Sequence, residues 1–198
     1  MIDLNLSRSL MLLPLLAALA LPGGCASKPK TQYGDARGVE TVTNQFGSTD
    51  LQMIAESMTR SMLQAPVIAS GNLPILTVQE VKNKTSEYID TRSITDSIRV
   101  EVQKSGKVRF AVDAAAMQQQ VEELQRQQSD LYDKEQAAQT GKMAGAQYRL
   151  EGNITSIVKQ DKDIKDVFYK FNLQLWNIRN GLLEWSDEKE IRKTTSKS

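Results

Sequence analysis

From Tyr148 onward the chain alternates apolar and polar side chains, and that periodicity limits what it can fold into. Tyr148, Leu150, Ile154 and Val158 alternate with Arg149, Glu151, Asn153 and Thr155. Val167, Tyr169, Phe171, Leu173 and Leu175 then share one face, while Lys170, Asn172 and Gln174 share the other. Period-two alternation marks antiparallel strands buried on one side, so helices must cover the apolar face. Asn180-Gly181 marks a hairpin. A two-residue turn would pair Trp185 with Trp176 and leave Leu183 on the polar face. A three-residue loop with Gly181 as the bulge residue pairs Leu175 with Trp185 and turns Leu183 toward the core. A one-residue slip inverts every side chain, so the buried face favours the bulged loop.

The covering elements precede the meander. Thr49 and Gln52 have capping-box spacing, and Leu51, Ile54, Ala55, Met58 and Met62 recur at helical intervals. This predicts a helix from Asp50 to Gln64 that stops before Pro66. Its methionines read as core packing, with a methionine-rich partner groove as the alternative. Ile75 to Val81 reads as a strand with Leu76, Val78 and Glu80 on one side, and Lys82 to Asp90 as a polar loop. Asp90 or Thr91 caps a second helix carrying Ile94, Ile98 and Val102, closed by Gly106. Lys107 to Val112 reads as a strand, parallel to the first because a helical crossover joins them. Asp113 caps a third helix, Ala114 to Gln128, whose apolar positions fit packing on the sheet or a short coiled coil. Lys134 to Gly145 reads as a short fourth helix. The fold class is α/β (α+β): a mixed sheet of about five strands with a C-terminal antiparallel meander, flanked by three to four helices.

The N-terminal region reads differently. Leu10 to Leu21 is an uncharged apolar run preceded by Arg8 and followed by Gly23, Gly24 and Cys25. It is shorter than the ~20 apolar residues a membrane-crossing helix needs, and fits the core of a secretory signal. The single cysteine after small residues resembles a bacterial lipoprotein signal, although Pro22 stands where leucine is usual. The resemblance implies lipidation at Cys25 and, with Ala26 next, an outer-membrane, periplasm-facing location. The alternative is ordinary cleavage nearby that leaves Cys25 as a free thiol. The expected organisation is a signal peptide over 1–24, a lipidated N-terminus and flexible tether over 25–47, and a globular domain over 48–198. Stretched fully, residues 26–47 span at most ~75 Å.

Composition removes several function classes. The chain holds 25 basic and 24 acidic residues, so no charge excess points to nucleic acid. Histidine is absent, which excludes histidine triads, bases and metal sites. With Cys25 spent on an anchor, no thiolate nucleophile remains. Asp161, Asp163 and Asp166 cluster, but a calcium loop would need glycine and glutamate where Asp166 and Asn172 stand, and Lys159, Lys162 and Lys165 alternate with the acids. Adjacent Glu122 and Glu123 splay apart on a helix. Neither a metal, a cofactor nor an enzymatic activity is expected.

Ile75-Leu76-Thr77-Val78 followed by Val81-Lys82-Asn83-Lys84-Thr85, Gly106-Lys107-Val108-Arg109-Phe110, Tyr148 opening the meander, and Gly181-Leu182-Leu183-Glu184-Trp185 together resemble the LpoB-type penicillin-binding-protein activators. The resemblance implies an outer-membrane lipoprotein without enzymatic activity, with a domain similar to the N-terminal domain of TolB. Its implied partner is a bifunctional class A penicillin-binding protein, a peptidoglycan synthase whose activity it stimulates. The best-known members carry a long proline-rich linker, which this chain lacks. Two rival readings use the same fold: an envelope structural or assembly lipoprotein, and a small-ligand binder. Asn83, Lys84 and Thr85 match the family's Asn-Arg/Lys-Thr segment and follow a parallel strand, where binding loops sit, so they are the candidate partner contacts. The competing reading is a plain turn in which Asn83 and Thr85 bond their own backbone.

Overall fold

The computed structural model describes residues 31–197. Cys25 and the apolar run lie outside them. One compact unit begins at Asp35. Among the described residues, no helix is long and apolar enough to cross a membrane.

The meander forms as its alternation dictates. Strands β4 (Tyr148–Gln160), β5 (Ile164–Asn177) and β6 (Leu183–Ser196) run antiparallel. Val167, Tyr169, Phe171, Leu173 and Leu175 are all buried on one face, with Leu150 and Ile154 beside them. Gly152 lets β4 close on β5, because a Cβ there would stand 2.1 Å from the Asn172 carbonyl oxygen. Val158 does not join this core. It is 45% exposed, because the β4–β5 hairpin runs past its helical cover.

Helices α1 (Ser48–Met62) and α3 (Thr91–Lys104) pack on each other and on this face. Ile54, Met58 and Met62 from α1 meet Ile94, Ile98 and Val102 from α3 in one cluster. Each such side chain contributes about 1.5–3 kcal/mol by leaving water. The methionines therefore divide: Met58 and Met62 are core, and Met53 is exposed. The start of α1 differs from expectation. Gly47 is the N-cap and donates its N–H to Asp50 Oδ2 at 2.8 Å. Thr49 Oγ1 instead accepts from the Glu40 N–H at 2.7 Å, and Gln52 Nε2 donates to the Ala36 carbonyl at 2.6 Å. The helix ends at Met62, and Pro66 opens a short helix α2 (Pro66–Ala69), proline being suited to a first turn.

Two strand expectations are corrected. The strand expected over Ile75 to Val81 ends at Val78 as β1 (Ile75–Val78), and a second strand, β2 (Lys82–Lys84), forms where a loop was read. Both lie parallel to β4, pairing with successive stretches of it. Strand β3 shrinks to Arg109–Phe110 and pairs parallel with β1, as the crossover requires. Among the described residues the sheet thus has six strands, ordered β3-β1-β4-β5-β6 with β2 also on β4.

Other corrections have local causes. Helix α4 (Ala114–Gln127) starts at Asp113 as read, yet buries no residue, so it does not seal the sheet. Residues 134–145 form turns instead of a helix. With Gly141, Gly145 and no sustained apolar stripe, nothing offsets the cost of helix nucleation there. In the β5–β6 hairpin, Leu175 does pair with Trp185, but Asn177 closes a longer loop by accepting from Gly181 N–H and donating to the Leu182 carbonyl. The register shift falls beside Trp176, which pairs with Leu183, leaving Leu183 43% exposed and away from the core.

Part of the expected tether, residues 25–30, lies outside the described residues. Residues 35–47 join the compact unit as a strap laid over the β5–β6 end of the core. Phe46 packs edge-on against Tyr169 with ring centroids 5.9 Å apart. Lys193 Nζ donates to the Gln45 carbonyl at 2.6 Å and pairs with Asp50 at 2.7 Å.

Candidate functional site

Of the three predicted contact residues, Asn83 and Lys84 lie in β2 and Thr85 directly follows it. Register assigns their directions. Lys82 pairs with Asn153 and Lys84 with Thr155, both on the sheet face opposite the helices, whereas Asn83 pairs with buried Ile154. Alternation along a strand therefore turns both lysines toward that open face and Asn83 toward the helix side, although all three residues are exposed.

The inward groups are used locally. Asn83 Oδ1 accepts from Thr85 N–H at 2.9 Å and from Thr85 Oγ1 at 2.8 Å. Asn83 Nδ2 donates to the Glu87 carbonyl at 2.9 Å, and Glu87 N–H donates to Thr85 Oγ1 at 3.3 Å. The local-turn reading of these two side chains matches the geometry. Glu87 ties this turn to the rest of the fold. Its carboxylate accepts from the Tyr169 hydroxyl and, at 3.3 Å, from the Phe46 N–H. Burial first, and then the Glu87 carboxylate, hold the Tyr169 hydroxyl well above its ordinary value, so it stays protonated as a donor.

What remains open at β2 is its backbone edge, the outward lysines and Tyr88, which is 93% exposed. Lys82, Lys84, Tyr88, Arg149, Asn153 and Gln174 line a groove of about 1010 Å³ along this edge. Lys82 and Tyr88 were not singled out by the sequence, because only the strand break at 79–81 and the β4 register bring them to one rim. A second groove, about 1180 Å³, runs between α1 and α3, its rim crossed by the Arg60–Glu56 and Arg92–Asp96 ion pairs.

The acidic cluster separates. Asp166 lies in β5, where Thr194 Oγ1 donates to it at 2.9 Å and Arg192 pairs with it at 3.1 Å. The Thr194 hydrogen bond and then the Arg192 contacts hold its carboxyl below the ordinary value. Glu122 accepts from Gln118 at 3.0 Å and Glu123 from Gln127 at 2.8 Å, so each serves its own helix.

The described residues thus combine a mixed sheet, a helical cover on one face and an open edge beside a hydrogen-bonded turn. The family model described as peptidoglycan-synthase activator LpoB matches residues 50–191, and the chain belongs to that family. It is a family of regulatory activators rather than catalysts. Among curated proteins, none matches the chain. The chain is similar to the solved C-terminal domain of LpoB from Salmonella enterica at 19% identity and a TM-score of 0.44, covering 72% of this chain and 98% of that one. The solved structure of LpoB from Escherichia coli is 16% identical at a TM-score of 0.40, with 98% and 96% covered. The lipoprotein GNA1162 from Neisseria meningitidis is 17% identical at 0.39, with 63% and 86% covered.

Proposed function

We propose that this chain is an outer-membrane lipoprotein, anchored through Cys25, that binds a bifunctional class A penicillin-binding protein and stimulates its synthesis of peptidoglycan. Family membership over residues 50–191 carries this reading. The contact surface is the β2 region. There Asn83 and Thr85 act as struts that fix the turn, and Lys84 supplies the outward side chain. A pre-fixed loop loses little conformational freedom on binding, which favours affinity.

The strap bears on reach. With residues 35–47 docked, the covalent path from Cys25 to Asp35 extends at most ~36 Å. The synthase must present its docking segment within that distance, or the strap must peel away. The same shortness favours a second reading, an assembly lipoprotein serving a partner near the outer membrane. Affinity purification of the lipidated protein from cross-linked envelopes separates the two. A class A synthase recovered with the parent and depleted with Lys84→Ala supports activation. Recovery of outer-membrane proteins alone contradicts it.

A further inference from the structure

Strand β2 is held by β4 on one side, and among the described residues no strand pairs with its other edge. Among the described residues, no backbone hydrogen bond to a loop or turn covers that edge either. An open edge presents a row of N–H and C=O groups to any extended segment that reaches it. Beside the row stand Lys82 and Lys84, exposed on one face of the sheet, and neither makes an ion pair among the described residues. Exposed Tyr88 flanks them in the same groove.

The opposite border of the sheet, β6, contrasts with it. There Glu188 and Glu190 pair with Lys170, Arg192 with Asp166 and Lys193 with Asp50. Four of its charges are thus paired within the fold, and both signs stand along it, which guards an edge against pairing. At β2 the two outward lysines make no ion pair among the described residues, while Glu80 and the Arg149–Glu151 pair line the same groove. Neighbouring lysines repel a basic or identical edge and attract an acidic one.

Resting on the reading of β2 as the contact surface, we propose that the partner binds by adding an extended acidic segment to the outer edge of β2. Main-chain bonds form along Lys82–Lys84, carboxylates of the segment meet Lys82 and Lys84, and an apolar side chain packs on Tyr88. Aromatic residues of this kind carry much of the energy of protein interfaces. The Asn83–Thr85–Glu87 turn holds the edge in place, so the incoming segment bears most of the ordering.

The test titrates the isotope-labelled full chain with a short synthetic peptide alternating glutamate and valine, and with its lysine–valine counterpart. Binding of the acidic peptide should shift the amides of Lys82–Lys84 and Tyr88 and slow hydrogen exchange within β2. Lys82→Glu/Lys84→Glu should leave circular dichroism unchanged and reverse the peptide preference, with roughly tenfold weaker acidic binding. Tyr88→Ala should weaken it about tenfold without changing the charge preference. Equal binding of both peptides, absence of binding, or shifts confined to β6 would overturn strand addition. Synthase capture by Lys84→Ala is measured alongside. Lost capture with no peptide binding refutes the strand mode and leaves the contact surface standing. Unchanged capture with peptide binding intact supports the edge and refutes its use for the synthase.

Discussion

Replacing Lys193 with methionine should loosen the strap and destabilise the domain together. The Asp50 side chain is 3% exposed and that of Lys193 17%, with 2.7 Å between them. Lys193 also holds the Gln45 carbonyl, so one ammonium joins α1, β6 and the strap. Methionine keeps the stem but leaves the Asp50 carboxylate only the Gly47 N–H at 2.8 Å. Breaking a buried pair costs about 3–5 kcal/mol, and the lysine's partial exposure argues for about 3 kcal/mol. For a domain of this size that lowers Tm by roughly 6–12 °C. Urea unfolding followed by circular dichroism should show a lower midpoint at unchanged slope. Hydrogen exchange should quicken at Phe46 and Gly47 first. Asp50→Leu/Lys193→Met should recover part of the loss, since an apolar pair removes the orphaned charge. A loss below about 1 kcal/mol would mean a solvent-screened surface pair and would refute the strap's attachment.

Gly152→Ala should cost about 2–3 kcal/mol in urea unfolding, because its Cβ would meet the Asn172 backbone oxygen at 2.1 Å. Asp113 is held below its ordinary value of 3.8, chiefly by the Ala116 N–H and also by Arg99. Its contribution is thus full well above the unfolded value and is lost as pH falls through the lowered one, so Asp113→Asn should flatten the acid limb of the stability curve below about pH 5. Cys25→Ser should leave the protein out of the outer-membrane fraction, and unchanged membrane content would refute lipidation. A flexible insertion after Gly34 should preserve or raise synthase activation, whereas loss of activation would show that reach is not limiting.

Much of this fold was legible because burial writes a period into the chain. The β5 stripe and the Ile94, Ile98, Val102 stripe each predicted one buried face, and both are buried. Asp113, and Asp90 of the two caps read for α3, begin their helices because a carboxylate satisfies otherwise orphaned N–H groups. What the pattern missed depends on long-range pairing. Lys82-Asn83-Lys84 has no apolar alternation, and it becomes a strand only through β4. The strap is polar in sequence, but Phe46, Gln45 and Glu40 find partners far along the chain or across a turn. Helix α4 shows the converse, a regular apolar spacing that the fold leaves unburied. At the candidate site, residue types pointed to 83–85, but register decided which side chains face out.

The most direct test of the central claim is the rate of glycan polymerisation by a purified class A synthase with the lipidated protein present. Addition of the parent should raise the rate, with Lys84→Ala showing a smaller increase at equal fold stability. A rate unchanged by the parent, under conditions where the synthase alone is active, would contradict activation by this chain.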